Sequence, residues 1–318
     1  MSIGKRISPF NDVTESPSTT STIKTERMNK SIEFALQKPK YSFDDLILTH
    51  STKEEIERAI AFKKHSDLVF NQWGLGETHK HSNRVCLNFY GESGTGKTMA
   101  AHAVANYLQK ELLIVNYAEI ESKYVGETPK NLVAAFKLAQ ESDAIIFFDE
   151  ADALLSRRVT NMSNSTDTSV NQTRSVLLNI LNDYDKTILF ATNFIENFDP
   201  AFMRRILAHI HFQLPEQEGR LKLFKMYIPE KMPNSLDVVE LSEKHENLSG
   251  SDIANAVLSA ALSAANRQHN KVEMCDMNNA IKSIIDSKKA NSPNTKSVHI
   301  ETREVTKHYV ENNLGRKL

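Results

Sequence analysis

Cysteine is scarce in this 318-residue sequence. Only Cys86 and Cys275 are present, which excludes a disulfide framework and a structural zinc site built on cysteine ligands. Long apolar runs are also lacking, because no stretch approaches the roughly 18 residues needed to span a bilayer. The first residues lack the apolar core of a secretion signal. We therefore expect a cytoplasmic protein without membrane contact.

An excess of charge of either sign is missing as well. The sequence has 39 Lys and Arg residues against 40 Asp and Glu residues, so its net charge is −1 with histidine neutral. Such a chain has no overall positive field to attract a polyanion, and a nucleic-acid binder would need a local basic groove with interleaved aromatic side chains. We expect no nucleic-acid partner.

Residues 1–30 are poor in large apolar side chains and rich in Ser, Thr and Pro, so we expect a disordered tail. After this tail, short apolar runs alternate with helical patterns. The alternation predicts an α/β fold with a parallel sheet and helices on both faces. The predicted strands are 85–90, 112–116, 144–148, 187–191 and 210–214. The predicted helices are 51–70, 98–110, 131–142 and 173–184.

The pattern changes near residue 213, after which only helical spacing is found. The predicted helices there are 217–227, 236–245, 250–266, 274–287 and, after a polar stretch, 302–312. We therefore predict an α/β domain over residues 31–213 and a small all-helical lid domain over residues 214–318. The polar stretch 161–172 is typical of a surface loop.

A glycine-rich segment follows the first of these strands and precedes a helix. It reads Gly91-Glu-Ser-Gly-Thr-Gly-Lys97-Thr98 and fits the phosphate-loop pattern G-x-x-x-x-G-K-[ST] at every position. Its backbone N–H groups and the helix N-terminus are suited to phosphate oxygens, with Lys97 on the β- and γ-phosphates and the Thr98 hydroxyl on Mg²⁺. The sequence thus predicts ATP and Mg²⁺ as cofactors. The predicted binding residues are Gly91, Glu92, Ser93, Gly94, Thr95, Gly96, Lys97, Thr98 and Met99.

Two acidic residues, Asp149 and Glu150, end the apolar run IIFFDE. A carboxylate at the carboxyl end of a parallel strand points into the crevice where such sheets bind ligands. We predict that Asp149 holds the magnesium together with Thr98, and that Glu150 orients and polarises the attacking water. The structural alternative is a strand that ends in a solvated acidic turn.

These motifs, in this order from about residue 43 to residue 265, resemble the AAA-type ATPases of the classical clade. The resemblance implies ATP hydrolysis in a homo-oligomeric ring, for which six subunits is the family's usual number. Asn193 corresponds to the sensor-1 residue, which would hydrogen-bond the γ-phosphate or the attacking water. Arg204 and Arg205 correspond to arginine fingers that would enter the site of a neighbouring subunit. Ala254 stands where other clades carry a sensor-2 arginine.

A further segment bears on the substrate. Lys123-Tyr124-Val125-Gly126 resembles the pore loop with which hexameric protein translocases grip an extended polypeptide. The resemblance implies a remodeller or unfoldase that threads or pulls a protein through a central pore, with recruitment through the pore, the tail or an adaptor. One departure from the family concerns 182–184, which read Asn-Asp-Tyr where many members carry Asp-Gly-Phe.

The sequence leaves three alternatives to a general protein remodeller. The stretch 192–202 is similar to single-ring ATPases that remodel HORMA-domain proteins, which in bacteria accompany antiviral signalling operons. A nucleic-acid motor or loader is a second alternative, and a scaffold that binds ATP without turnover is the third. The intact set of predicted catalytic residues argues against the scaffold. No HExxH motif is present, which excludes a fused zinc protease of that type.

Overall fold

A six-stranded sheet lies at the centre of the protein. The computed structural model describes residues 34–78, 85–120, 127–156, 165–193 and 198–291. The strand order is β1-β3-β4-β5-β2-β6. The strands are β1 (Leu36–Gln37), β2 (Cys86–Tyr90), β3 (Leu112–Asn116), β4 (Ile145–Asp149), β5 (Ile188–Thr192) and β6 (Ala208–His211). Every neighbouring pair is parallel except β1 with β3.

Helices connect the strands and continue after the sheet. In the first part of the chain they are α1 (His50–Asp67), α2 (Leu75–Thr78), α3 (Lys97–Tyr107), α4 (Tyr117–Ile120), α5 (Glu127–Glu141), α6 (Asp152–Leu155), α7 (Ser165–Asp183) and α8 (Pro200–Met203). After the sheet come α9 (Gln217–Tyr227), α10 (Val238–Lys244), α11 (Gly250–Asn266) and α12 (Met274–Asn291), which we call the lid helices.

The side chains of β4 show that helices cover both faces of the sheet. Phe147 packs in one buried cluster with residues of α1 and α3, whereas its neighbour Phe148 packs in another with residues of α5 and α7. Successive residues of a strand point to opposite faces, so a strand covered on both sides is apolar at every position. This is why the run IIFF could be recognised as a central strand, and the α/β prediction is confirmed.

The sheet also contains a strand that the sequence did not predict. Strand β1 is only two residues long and pairs antiparallel with β3, Leu36 lying opposite Leu113. Two residues are too few to show an alternating pattern, so only the tertiary contact reveals the strand. The predicted parallel sheet therefore carries one short antiparallel edge strand in addition.

Two expectations are corrected by the structure. The stretch 161–172 was expected to be a surface loop, but α7 begins at Ser165, eight residues before the predicted start at 173. Once a helix is nucleated, each added residue gains a hydrogen bond, so a polar segment can extend a packed helix without an apolar pattern of its own. The last strand was expected over 210–214, but its pairing with β2 limits it to Ala208–His211.

The lid helices have a hydrophobic cluster of their own. It includes Phe224 of α9, Leu241 of α10, Ile253 of α11 and Ile281 of α12, all fully buried. We propose, as the sequence indicated, that the domain boundary lies between residues 213 and 214. The predicted tail 1–30 and the predicted helix 302–312 lie outside the described residues. Among the helices that are described, none is long and apolar enough to cross a membrane.

Candidate functional site

The glycine-rich segment lies between β2 and α3, at the carboxyl edge of the sheet. A cavity of about 350 Å³ opens beside it and is bordered by residues 93–99 of the loop, by Asp149, Glu150 and Asn193 at the ends of β4 and β5, and by the lid helices. Gly96 is the N-cap residue of α3 and has a φ of 98°, which suits glycine. The first turn of α3 therefore directs free N–H groups toward the cavity.

Lys97, the first residue of α3, is largely buried and has its ammonium group held by three oxygens. Its Nζ donates to the carbonyl of Gly91 at 2.7 Å, to the carbonyl of Glu92 at 2.9 Å and to Oδ1 of Asn193 at 3.0 Å. Burial lowers the pKa of Lys97, while the charges of Asp149 and Asp152 act in the opposite direction. All three acceptors are neutral, so an anionic phosphate oxygen could replace one of them at a gain in charge pairing.

Thr98 and Asp149 meet across the cavity floor. The Thr98 hydroxyl donates to Oδ2 of Asp149 at 2.9 Å, and Oδ1 of the same carboxylate accepts from the backbone N of Glu150 at 3.0 Å. Hydroxyl and carboxylate oxygens are the ligands that Mg²⁺ prefers, and Mg²⁺ is commonly held by one or two protein groups plus phosphate oxygens. These two side chains fit the predicted magnesium site.

Glu150 follows β4 directly and lines the cavity with an exposed side chain. Its φ of 51° is left-handed, which costs a residue other than glycine roughly 1–2 kcal/mol. Backbone strain of this kind often marks functional sites, where the rest of the structure holds a side chain in a required place. Here it brings a carboxylate, free to contact water, next to the predicted magnesium ligand.

Asn193 is held at the end of β5 by a residue that the sequence analysis missed. Its backbone N donates to both carboxylate oxygens of Asp152, at 3.2 and 3.3 Å. Asp152 begins α6, and the buried Arg174 of α7 donates to the Ala153 carbonyl in the same helix at 2.8 Å. The position of Asn193 thus depends on α6 and α7. The sequence offers one indication of Asp152, because it is a third carboxylate, three positions after Asp149.

The opposite wall of the cavity is apolar. It combines residues from the segment before α1 with Pro215, just before α9, and residues in the second half of α9. These residues are Leu46, Ile47, Leu48, Pro215, Leu223, Met226 and Tyr227. Ligand pockets typically pair such a surface with a few fixed polar groups, and its place beside a phosphate loop fits a planar base.

The N-terminus of α11 rests on the glycine-rich loop. The backbone N of Ser251 donates to the Gly94 carbonyl at 3.3 Å, and Gly250 and Ser251 line the cavity. A Cβ at Gly94 would lie 2.6 Å from Oγ of Ser251 and 2.8 Å from Oγ of Ser249. The lid helices therefore touch the loop at its midpoint, and the positive end of the α11 dipole faces the cavity.

We expect Gly94→Ala to lower the free energy of unfolding more than Gly96→Ala does. Both glycines have positive φ, 78° and 98°, so alanine should cost roughly 1–2 kcal/mol at either position. Only the Cβ at Gly94 also meets the two serines, and overpacking adds about 1–3 kcal/mol. Urea unfolding of both variants measures the difference. Equal losses would contradict close packing of α11 on the loop.

Arg204 and Arg205 do not line the cavity of their own chain. They follow α8, whose N-cap Asp199 accepts from the backbone N of Ala201 at 2.8 Å. Arg205 donates to Oδ1 of Asn182 at 2.9 Å and to the Ala201 carbonyl at 2.8 Å. Arg204 is exposed and makes no side-chain hydrogen bond or ion pair within the described ranges. The predicted pore loop, Lys123, Tyr124, Val125 and Gly126, lies outside those ranges.

The loop, the lysine at a helix N-terminus and the acidic strand end define a P-loop nucleotide-binding protein. Residues 87–214 match the family described as "ATPase family associated with various cellular activities (AAA)". Residues 87–214 thus form an AAA ATPase domain, as the resemblance indicated, and such a domain implies nucleotide binding.

Curated relatives agree with this assignment. The chain is 34% identical over 257 residues to a "Proteasome-activating nucleotidase" of Archaeoglobus fulgidus, a match that covers 78% of this chain and 63% of the relative. It is 30% identical over 263 residues to a "26S proteasome regulatory subunit 4 homolog" of Dictyostelium discoideum, with 80% of this chain and 58% of the relative covered. The chain thus spans about three-fifths of the length of these relatives.

Proposed function

We propose that this protein is an ATP-hydrolysing, ring-forming AAA remodeller that does mechanical work on a protein substrate. The observation that carries the proposal is the set of contacts at the cavity, where Lys97 meets Asn193 and Thr98 meets Asp149. They bring together residues from three separate sequence motifs at one edge of the sheet. A scaffold that only binds nucleotide would not need Glu150 placed beside them.

In this proposal each side chain has a distinct role in hydrolysis. The loop N–H groups and Lys97 bind the phosphates, Thr98 and Asp149 hold Mg²⁺, and Glu150 orients the attacking water and accepts its proton. The metal ion would neutralise charge on the phosphate oxygens. Asn193, fixed through its backbone by Asp152, can hydrogen-bond the γ-phosphate or the water.

The proposal includes a ring because the two predicted arginine fingers lie away from the site of their own chain. Arg204 and Arg205 are not among the described residues that line the cavity, so we propose that they act in the site of a neighbouring copy. Repeated contacts of this head-to-tail kind close into a ring, and we propose a homohexamer. Cys275 is an exposed thiol, which suits a reducing compartment, and we propose the cytoplasm.

The substrate is proposed to be a polypeptide, taken directly or through an adaptor, and not a nucleic acid. The names of the two relatives refer to the proteasome. For this chain we propose only ATP-driven work on a polypeptide. The comparisons give no support to the HORMA-directed alternative, and no observation on the described residues favours a nucleic-acid motor.

Tyr124→Ala is expected to leave ATP hydrolysis within about twofold of wild type and to abolish ATP-dependent unfolding. An aromatic side chain in the pore can grip an extended chain through apolar contact, whatever the sequence of that chain. Loss of fluorescence from a tagged, folded substrate in the presence of ATP measures the unfolding. Tyr124→Phe is the matched control and should unfold the substrate normally. Equal unfolding by Tyr124→Ala would contradict the pore assignment.

The polypeptide substrate itself can be identified with a variant that retains its bound partner in ATP. A Glu150→Gln variant that binds ATP without turning it over should retain its protein partner, and a pull-down in ATP, with ADP as the control, should recover that partner. Recovery of DNA or RNA instead of protein would support the nucleic-acid alternative. Recovery of a HORMA-domain protein would support that alternative.

A further inference from the structure

Near the end of α12, a lysine makes a contact between the lid helices and the phosphate loop that is separate from the contact of α11 with Gly94. Nζ of Lys288 lies 2.9 Å from Oδ2 of Asp252 in α11 and 3.4 Å from Oε2 of Glu92 in the loop. Glu92 and Lys288 are 196 positions apart in the chain. One ammonium group therefore contacts α11 and the loop from a third element.

Asp252, one of the two carboxylates that contact Lys288, is held in place by hydrogen bonds with Ser249. Both the backbone N and the hydroxyl of Ser249 donate to Oδ2 of Asp252 at 2.8 Å, and the Ser249 hydroxyl accepts from the Asp252 N, which completes a capping box at the start of α11. The Asp252 side chain is only 14% exposed. Burial lowers the pKa of Lys288, but the hydrogen bond to Asp252 and the charges of Asp252 and Glu92 outweigh it, so the pKa is raised.

Glu92 is also in contact with Lys97, the lysine that we propose binds the phosphates. The Glu92 carbonyl accepts from Nζ of Lys97 at 2.9 Å and from the Thr95 hydroxyl at 2.8 Å. The side chain of Glu92 therefore points to Lys288 of the lid while its main chain holds Lys97. A movement of α12 would therefore reach the loop through Glu92 as well as through the contact of α11 with Gly94.

We propose that Lys288 is a positioning residue, which ties the lid helices to the phosphate loop through Glu92 and thereby slows the release of bound nucleotide. The inference rests on the proposed function, since it assumes that the loop binds ATP and ADP. Lys288 itself does not line the cavity, so it acts through Glu92 and not on the nucleotide. The contact with Glu92 is half-exposed, which limits its strength.

The test is the rate at which a fluorescent ADP analogue leaves the full-length protein, measured by stopped flow with excess unlabelled ADP. We expect Lys288→Met and Glu92→Gln each to release it about two to five times faster than wild type, the range for an exposed ion pair. The double variant should release it no faster than the single variants. Lys289→Met, the same change at the exposed neighbouring lysine, should match wild type.

The salt dependence of the release rate separates an ion-pair role of Lys288 from a purely structural one. Raising KCl from about 50 mM to about 500 mM screens the ion pair, so the difference between wild type and Lys288→Met should shrink. Faster release in Lys288→Met but not in Glu92→Gln would overturn the proposal, because the contact with Asp252 alone would then carry the effect. Multiplied effects in the double variant would also overturn it. A wild-type protein that binds no nucleotide would overturn the proposed function and this inference with it.

Discussion

Replacing Glu150 by glutamine is expected to lower kcat for ATP hydrolysis by about 10²- to 10⁴-fold and to leave ATP affinity nearly unchanged. The loss is the usual contribution of a positioned general base. Glutamine has the same size and can still contact the water, but it cannot accept the proton. ATP affinity should persist because Lys97 and Thr98, which would bind phosphate and metal, form their hydrogen bonds in the described part of the chain with groups other than the Glu150 side chain. A coupled ATPase assay and a titration with fluorescent ATP measure the two quantities separately.

The matched control is Glu141→Gln, the same chemical change at the exposed carboxyl end of α5, where the side chain pairs only with Lys137 among the described ion pairs. This variant should hydrolyse ATP at the wild-type rate. If Glu150→Gln keeps normal turnover, the role assigned to Glu150 is wrong and another carboxylate must serve as the base. Asp152 would then be the first candidate, since it lies close to Asn193.

The parts of the site that the sequence could predict are those encoded in short continuous segments. The loop 91–98 is recognised from its glycines, and Asp149 is recognised as the acidic residue that ends an apolar strand. The β-to-α order then places both at one sheet edge. In a short continuous segment, the local backbone geometry determines where the polar groups point. The sequence of the segment is therefore enough to predict them.

The parts that could not be predicted depend on contacts between distant segments. Asp152 meets the Asn193 backbone across 41 positions, and Lys288 meets Glu92 across 196. The apolar wall combines residues before α1 with residues of α9. No spacing rule connects such segments, because the distance between them depends on how the helices pack on the sheet and on one another.

The second large effect is expected at Arg204. In an assembled ring, Arg204→Ala should lower kcat about 10³-fold or more, as removal of an arginine finger does elsewhere, while each subunit still binds ATP. Arg205→Ala should have the smaller direct effect on chemistry, because that guanidinium is already bound to Asn182 and to the Ala201 carbonyl of its own chain. Arg204 is exposed beside it, and we propose that it contacts a neighbouring copy in the ring. Steady-state ATPase assays of both variants, with ring size checked by light scattering, make the comparison.

Two controls separate a finger from a surface charge. Arg58→Ala removes an exposed arginine of α1 and should have no effect on turnover. Arg204→Lys keeps the charge but loses the planar, bidentate donor geometry, so it should recover only part of the rate. Normal turnover in Arg204→Ala rings would exclude this residue as the finger.

Mixed rings test whether the arginine acts between subunits. Glu150→Gln subunits carry an intact Arg204, and Arg204→Ala subunits carry an intact Glu150. Where an Arg204→Ala subunit receives its finger from a Glu150→Gln neighbour, the site is complete, so a mixture of two nearly inactive proteins should hydrolyse ATP. If both residues served the same subunit, no site in any mixture would be complete and activity would stay low. Recovery on mixing would therefore establish that the finger is supplied by a neighbouring subunit, which is the reason for proposing a ring.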